Sequence, residues 1–384
     1  MPERVGIVAA AVTKFEAAKP WQHLAELALE VTDKAVEAAG INLKDDVEAV
    51  VSNSQDHWDG RTISSMPIPD VTCSHLKDES KVADDGAYAV AYGAMHILSG
   101  DHKLVLVVSH CAESITDGTI VENWSIDHIF TRMLGMDYTV AAALQAKRYM
   151  DKYGITAEQM AKVVVKNLEN AKKNKNAQTS GTFTVGDVLK STMLADPITA
   201  MERKPVSDGA CAMILATEDI AKKLTKNPVW ITGIGNCYDA HMPGDRELAN
   251  CDALVTASQK AYKMAGIKNP AKDISLVELS EYYAYQELLW TEGLGLCKPG
   301  EGGKLIDSGK TQLGGELPVN PSGGLLSGVP VTVAGSSRVA EAVWQLQGLA
   351  GDHQVKGAKV AVAHGCGGIC GQMHCVLVLE KGGN

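Results

Sequence analysis

Aromatic side chains are scarce in this chain: they make up 5% of its 384 residues, and only three are phenylalanine. No apolar run is longer than a β-strand, so no membrane-spanning helix is expected, since that takes about 20 apolar residues. Residues 1–12, MPERVGIVAAAV, hold too short an apolar run for a secretory signal and read as a first strand. Positive charge is in deficit, with 36 Lys and Arg against 46 Asp and Glu. The basic residues are dispersed and form no stripe with interleaved aromatics, which argues against nucleic-acid binding. The nine cysteines are odd in number and scattered, with no disulfide-like framework. Reduced thiols in the cytoplasm are the natural reading of that pattern.

What remains is a chain with 45% hydrophobic and 21% charged residues, long enough for a large core in one big domain or two fused ones. Strands and helices alternate. Strands are expected over Val5–Ala10, Val47–Ser52, Ser80–Ala83, Leu104–Val108, Ala210–Ala216, Trp230–Asn236, Ile274–Leu279, Lys359–His364 and Cys375–Glu380. Helices are expected over Trp21–Ala39, Ala87–Leu98, Thr139–Lys152, Thr156–Asn174, Cys251–Ala265, Tyr283–Gly293 and Val333–Leu349. Residues 53–79 and 110–138 read as long irregular segments, which are usually functional or mobile. The similar order of elements in the two halves suggests an internal duplication and layered α/β sheets.

The chain is organised around residues 80–109, SKVADDGAYAVAYGAMHILSGDHKLVLVVS: strand, tight turn, helix, strand. The turn lies at a helix N-terminus, where the dipole and free amide groups favour negative charge. An enzyme would place a nucleophile there. This chain has Ala83, Asp84 and Asp85.

Longer motifs point the same way. MLADPITAMERKPVSDGACAMILA, and the run GEGG, LGG and PVNPSGG between residues 300 and 324, resemble the thiolase superfamily in its sterol-carrier-protein-type and archaeal-type branch. The resemblance spans essentially the whole chain. It implies an α/β thiolase fold of duplicated βαβαβαββ halves in five layers (α-β-α-β-α). The N-terminal half would cover 1–225, with a helical loop domain at about 110–206, and the C-terminal half 226–384. It also implies acyl-CoA thioesters as substrates, no permanently bound cofactor, a homodimer, and a small partner subunit carrying an OB-fold and a zinc ribbon.

The resemblance also places the family's catalytic positions. The nucleophilic cysteine falls on Ala83, the asparagine or histidine on Ser280, and the glycine–histidine–proline histidine on Val329. The last catalytic position falls on Gly365 or Cys366, depending on a one-residue choice of register. Acyl transfer through an enzyme thioester needs a thiolate and a base. Ala83 and Val329 supply neither, although Cys73 or Cys366 can be imagined in a relocated role.

The groups left for catalysis are Asp84 or Asp85 as general base, Tyr282 or Tyr283 as proton donors, and His364 and Cys366. Gly367 and Gly368 are candidates for close approach and an oxyanion hole. Asp84 and Asp85 serve equally well as helix caps, and the tyrosines as core. HGCGGICGQMHC, residues 364–375, matches no zinc spacing, so no metal is expected. Around the site, His57, Trp58, His75, Trp124 and His128 are candidates for an acyl pocket, with Arg61 or Arg132 as carboxylate partner. Two functions follow: an enzyme that makes or breaks a C–C bond in an acyl-CoA without the usual cysteine acyl-enzyme, or a catalytically silent acyl-CoA-binding or scaffolding subunit.

Overall fold

A computed structural model describes residues 4–382 of the chain. The strands are β1 (Val5–Val12), β2 (Ala49–Asn53), β3 (Asp78–Val82), β4 (Leu104–Ala112), β5 (Met193–Ala195), β6 (Ile198–Thr199), β7 (Asp208–Thr217), β8 (Val229–Tyr238), β9 (Leu276–Glu278), β10 (Val360–Gly367) and β11 (Met373–Lys381). β5 and β6 form a small hairpin. The other nine make one sheet in the order β3-β2-β4-β7-β1-β8-β11-β10-β9. β1 meets β8 antiparallel, with Val5 opposite Ile231. Outward from this junction the two sides repeat one order. Each runs first strand, last strand, fourth, second. On the first side β3 completes the series. On the second side the matching outer strand has shrunk to a single parallel bridge from Val319 to Val277.

The main helices are α1 (Leu24–Ala39), α2 (Gly86–Leu98), α3 (Tyr138–Tyr153), α4 (Ala157–Ala171), α5 (Asp252–Ala265), α6 (Ala284–Gly293) and α7 (Ala334–Gln347). Strand alternation decides which helices each sheet face meets. Val105 and Val107 of β4, and Leu377 and Leu379 of β11, join α2 and α7 in one core. Leu104, Leu106 and Val108 face the other way and pack with Leu27 and Val31 of α1. Val376 and Val378 pack with Leu254 of α5 and Leu288 and Trp290 of α6. The result is the expected five-layer stack, with α2 and α7 as the middle layer.

That middle layer is tied together at one residue. Asp85 is the N-cap of α2, with φ −64° and ψ 147°. Its Oδ1 accepts from the Ala87 amide at 2.9 Å, and its Oδ2 accepts from the Gly335 amide, in the first turn of α7, at 2.8 Å. Two helix N-termini therefore share one carboxylate, in accord with their dipoles. Such closeness requires missing side chains. A Cβ on Gly335 would stand 1.9 Å from Asp85 Oδ1, and a Cβ on Gly365 would stand 1.8 Å from it.

Element bounds differ from the sequence reading mainly at ends and in the long segments. Residues 53–79 contain a short helix, Ile68–Thr72, and residues 110–138 continue β4 to Ala112 and then hold a helix, Gly118–Trp124. Neither helix is long enough to show a period. α4 ends at Ala171, short of the expected Asn174, and Lys172, Lys173 and Lys175 beyond it are exposed. Thr156 caps it as expected, accepting from the Gln159 amide.

Replacing Gly365 by Ala is expected to destabilise the fold by roughly 1–3 kcal/mol through overpacking against Asp85. Asp85→Ala alone should cost about 0.5–2 kcal/mol for the lost cap. Urea unfolding of the double variant should give less than the sum of the single effects, because the two residues touch.

Candidate active site

The C-terminal ends of the central strands open on a cavity of about 810 Å³. Asp85, Tyr282, Tyr283, Cys366, Gly367 and Gly368 all line it. Asp84, His364, Ser280, Val329, Gly365, Ala83 and Cys73 are not among its lining residues. Asp84 points elsewhere: its carboxylate accepts from the Tyr238 hydroxyl at 2.8 Å, and its carbonyl accepts from Asn53. Ala83 is exposed and Val329 is buried in the core. Ser280 Oγ donates to the His364 carbonyl at 2.9 Å. Of the surrounding candidates, His57, Trp58 and Trp124 line the cavity, whereas His75, His128, Arg61 and Arg132 do not. Arg61 instead meets His23 at 3.0 Å, and Arg132 donates to the Asn123 carbonyl.

Two charged pairs that sequence reading did not single out form one wall. Lys204 Nζ donates to Glu113 at 2.9 Å, and Arg203 donates to Glu122 at 3.1 and 3.2 Å. Glu113 also accepts from the amides of Ser207 and Val331, so one carboxylate pins three segments at the cavity. Separations of 91 and 81 residues leave no local signal for these pairs. Burial pushes the Glu122 carboxyl upward, against the pull of Arg203 and Lys204.

The lining groups differ in what they can do. Burial pushes the Asp85 carboxyl up to about 7, opposed by the Ala87 and Gly335 amides and by Arg338. A carboxyl in that range can accept or return a proton near neutral pH. Burial pushes the Tyr282 hydroxyl well above its ordinary range, so it stays a donor. Its two hydrogen bonds, to the carbonyls of Val331 and Cys366, are both long at 3.4 Å, which leaves it free to turn toward a ligand. The Tyr283 hydroxyl is held at 3.2 Å by Thr139. Burial, reinforced by Asp85 and Glu281, pushes the Cys366 thiol well up, and its Sγ donates to the Ser280 carbonyl at 3.3 Å. Burial pushes Cys370, the second thiol lining the cavity, up to about 12. Neither thiol is poised to ionise. Gly368 takes φ +71°, turning the chain sharply at the cavity wall.

A thiolase N-terminal domain model matches residues 5–184, and a model of a thiolase C-terminal domain-like region matches residues 236–381. The chain belongs to the thiolase superfamily, in its sterol-carrier-protein and archaeal branch. It is 37% identical over 289 residues to an acetyl-CoA acetyltransferase of Methanothermobacter thermautotrophicus, covering 74% of this chain and 75% of that one. It is 33% identical over 289 residues to the benzoylsuccinyl-CoA thiolase subunit BbsB of Thauera aromatica, covering 74% and 72%. Among solved structures, an Ltp2-ChsH2(DUF35) aldolase superposes with a TM-score of 0.85 at 22% identity, covering 98% of this chain and 97% of that one. Human mitochondrial 3-ketoacyl-CoA thiolase superposes with a TM-score of 0.73 at 19% identity, covering 99% of each. At these identities the superpositions speak for the fold.

The raised Asp85 value carries a stability consequence. Folding lifts its pKa from 3.8 to about 7, so between these values the folded state holds the proton more firmly than the unfolded chain. Stability from this residue therefore falls as pH rises through that window. Asp85→Asn removes the titration. The stability of the variant relative to the parent should rise between pH 4 and pH 7, measured by urea unfolding at each pH.

Proposed function

We propose that this protein makes or breaks a carbon–carbon bond in an acyl-CoA without forming a cysteine acyl-enzyme. The observation that carries the reading is the cavity itself: a buried carboxyl near neutrality and a free tyrosine hydroxyl line it, while its two thiols are held protonated. The names of the relatives, an acetyl-CoA acetyltransferase and a benzoylsuccinyl-CoA thiolase subunit, support a CoA thioester as substrate. The motif resemblance, which puts Ala83 and Val329 at the family's nucleophile and histidine positions, supports a route other than ping-pong acyl transfer.

In the retro-aldol direction, the Asp85 carboxylate takes the proton of a β-hydroxyl. The Cα–Cβ bond breaks, the β-carbon becomes a carbonyl, and the electron pair of the broken bond passes into the thioester enolate. The Gly367 and Gly368 amides and the Tyr282 hydroxyl would stabilise that oxygen. Protonated Asp85 then returns that proton to Cα and is again a carboxylate, while the Tyr282 hydroxyl keeps its proton. A retro-Claisen cleavage by CoA itself uses the same groups on a β-keto substrate. Trp58, Trp124 and His57 favour an aromatic acyl group. The reading includes a cytoplasmic homodimer, halves at 1–225 and 226–384 with a loop domain at about 110–206, and a small OB-fold and zinc-ribbon partner. The superposing aldolase is named for two components, Ltp2 and ChsH2(DUF35), which supports such a partner. Among the described residues no helix is long and apolar enough to cross a membrane.

One observation favours a silent acyl-CoA-binding subunit instead: both Asp85 oxygens already accept an amide bond. The test incubates the chain, alone and with co-encoded small partners, with β-hydroxy and β-keto acyl-CoAs, following CoA and cleavage products. Turnover is expected to fall about 100-fold or more in Asp85→Asn and Tyr282→Phe, the usual weight of a general acid or base. No acyl adduct should appear on any cysteine by mass spectrometry. A trapped adduct would sink the cysteine-free route. Inactivity with every substrate and partner would favour the silent subunit.

A further inference from the structure

Strand pairing brings together three side chains that the spacing of HGCGGICGQMHC keeps apart. His364 and Cys366 are two residues apart on β10 and so share a face of the sheet. His374 lies directly opposite Cys366 on β11. One ligand atom from each of the three lies within 4.8 Å of the others. All three residues are at most 1% exposed. His364 Nε2 and His374 Nδ1 approach to 2.9 Å. Two imidazole nitrogens on a tetrahedral zinc ion stand about 3.3 Å apart, so an opening of roughly 0.4 Å admits the ion.

We propose that His364, Cys366 and His374 form a binding site for Zn²⁺, with the fourth coordination position open on the side of Cys366, toward the cavity. Two imidazoles and a thiolate suit a borderline-soft ion and disfavour Mg²⁺ or Ca²⁺. Cys366 is the member of the three that lines the cavity. The surroundings hold the ligands in place, as outer partners do around metal sites. Trp290 packs edge-on against His374 at 4.8 Å and against His364 at 6.3 Å, and its indole N–H donates to the Ser280 carbonyl at 3.1 Å. That same carbonyl receives the Cys366 thiol.

Binding needs no oxidant or reductant. The Cys366 thiol proton leaves to solvent. Ligation through His364 Nε2 moves the ring proton from Nε2 to Nδ1, which then no longer accepts its long hydrogen bond, 3.4 Å, from the Ser280 amide. The site rests on these three side chains and not on the reaction assigned above, and the protonated Cys366 thiol described there belongs to the metal-free chain.

Co²⁺ replaces Zn²⁺ in such sites and reports its ligands by colour. The full-length chain, stripped with chelator and titrated with Co²⁺, is expected to bind one equivalent. The spectrum should show a sulfur-to-cobalt charge-transfer band and the visible absorption of a four-coordinate ion. Added Zn²⁺ should bleach both. Cys366→Ser, a mild change confirmed as folded by circular dichroism, should lose the charge-transfer band, and His374→Gln should lose stoichiometric binding. Absence of stoichiometric Co²⁺ binding by the parent chain, or a spectrum unchanged in Cys366→Ser, would overturn the site.

Discussion

Two central helices of this fold begin on the same carboxylate. α2 and α7 come from opposite halves of the duplicated chain, and their N-termini converge on Asp85 because Gly335 and Gly365 offer no Cβ in its way. The helix ends supply amide donors, and the dipoles supply a field that suits negative charge. Burial opposes that charge and wins enough to bring the carboxyl to about 7. The same residue thus closes the middle layer and faces the cavity as a group able to move a proton. The turn that follows β3 carries this cap two residues beyond Ala83.

Behind the cavity floor lies a second buried constraint. Asn167 and Asn320 each donate to both Glu281 and Glu287, and Lys166 pairs with Glu287 at 2.7 Å. Arg338 of α7 bonds Glu278 at the end of β9 at 2.6 Å. Burial, with Glu287 beside it, pushes Glu281 up to about 8. The network explains the PVNPSGG segment: Asn320 and Ser322 are its polar anchors, and Asn320 adopts φ +51° to reach its partners. Buried ions of this kind hold geometry more than they add stability. Here they fix Glu281, and with it the adjacent Tyr282.

Much of this was legible in the sequence, and for clear reasons. β1, β4 and β11 are near-continuous apolar runs covered on both faces, and such runs announce themselves. The cap at Asp85 follows from its place before Gly86. The junction of β1 with β8, and the fading of the second outer strand to Val319, are decided by pairing and leave little local trace. The site was read in part. Asp85, Tyr282 and Cys366 come to the cavity, but Asp84 does not, because adjacent turn residues point in different directions, and His364, on the same face as Cys366, lies two residues further from the cavity end of β10. Glu113 with Lys204, and Cys366 with His374, meet across distant or paired segments, and spacing along one chain does not encode such meetings.

The functional reading turns on Asp85 being a buried, titrating carboxyl in contact with the acyl-CoA cavity. It is tested most directly by ¹³C NMR of the protein labelled at aspartate carboxyl carbons, with Asp85→Asn to assign the signal. A resonance that titrates near 7 and shifts when an acyl-CoA binds is expected. A resonance that titrates at or below the ordinary 3.8, or one unmoved by acyl-CoA at saturation, would contradict that reading.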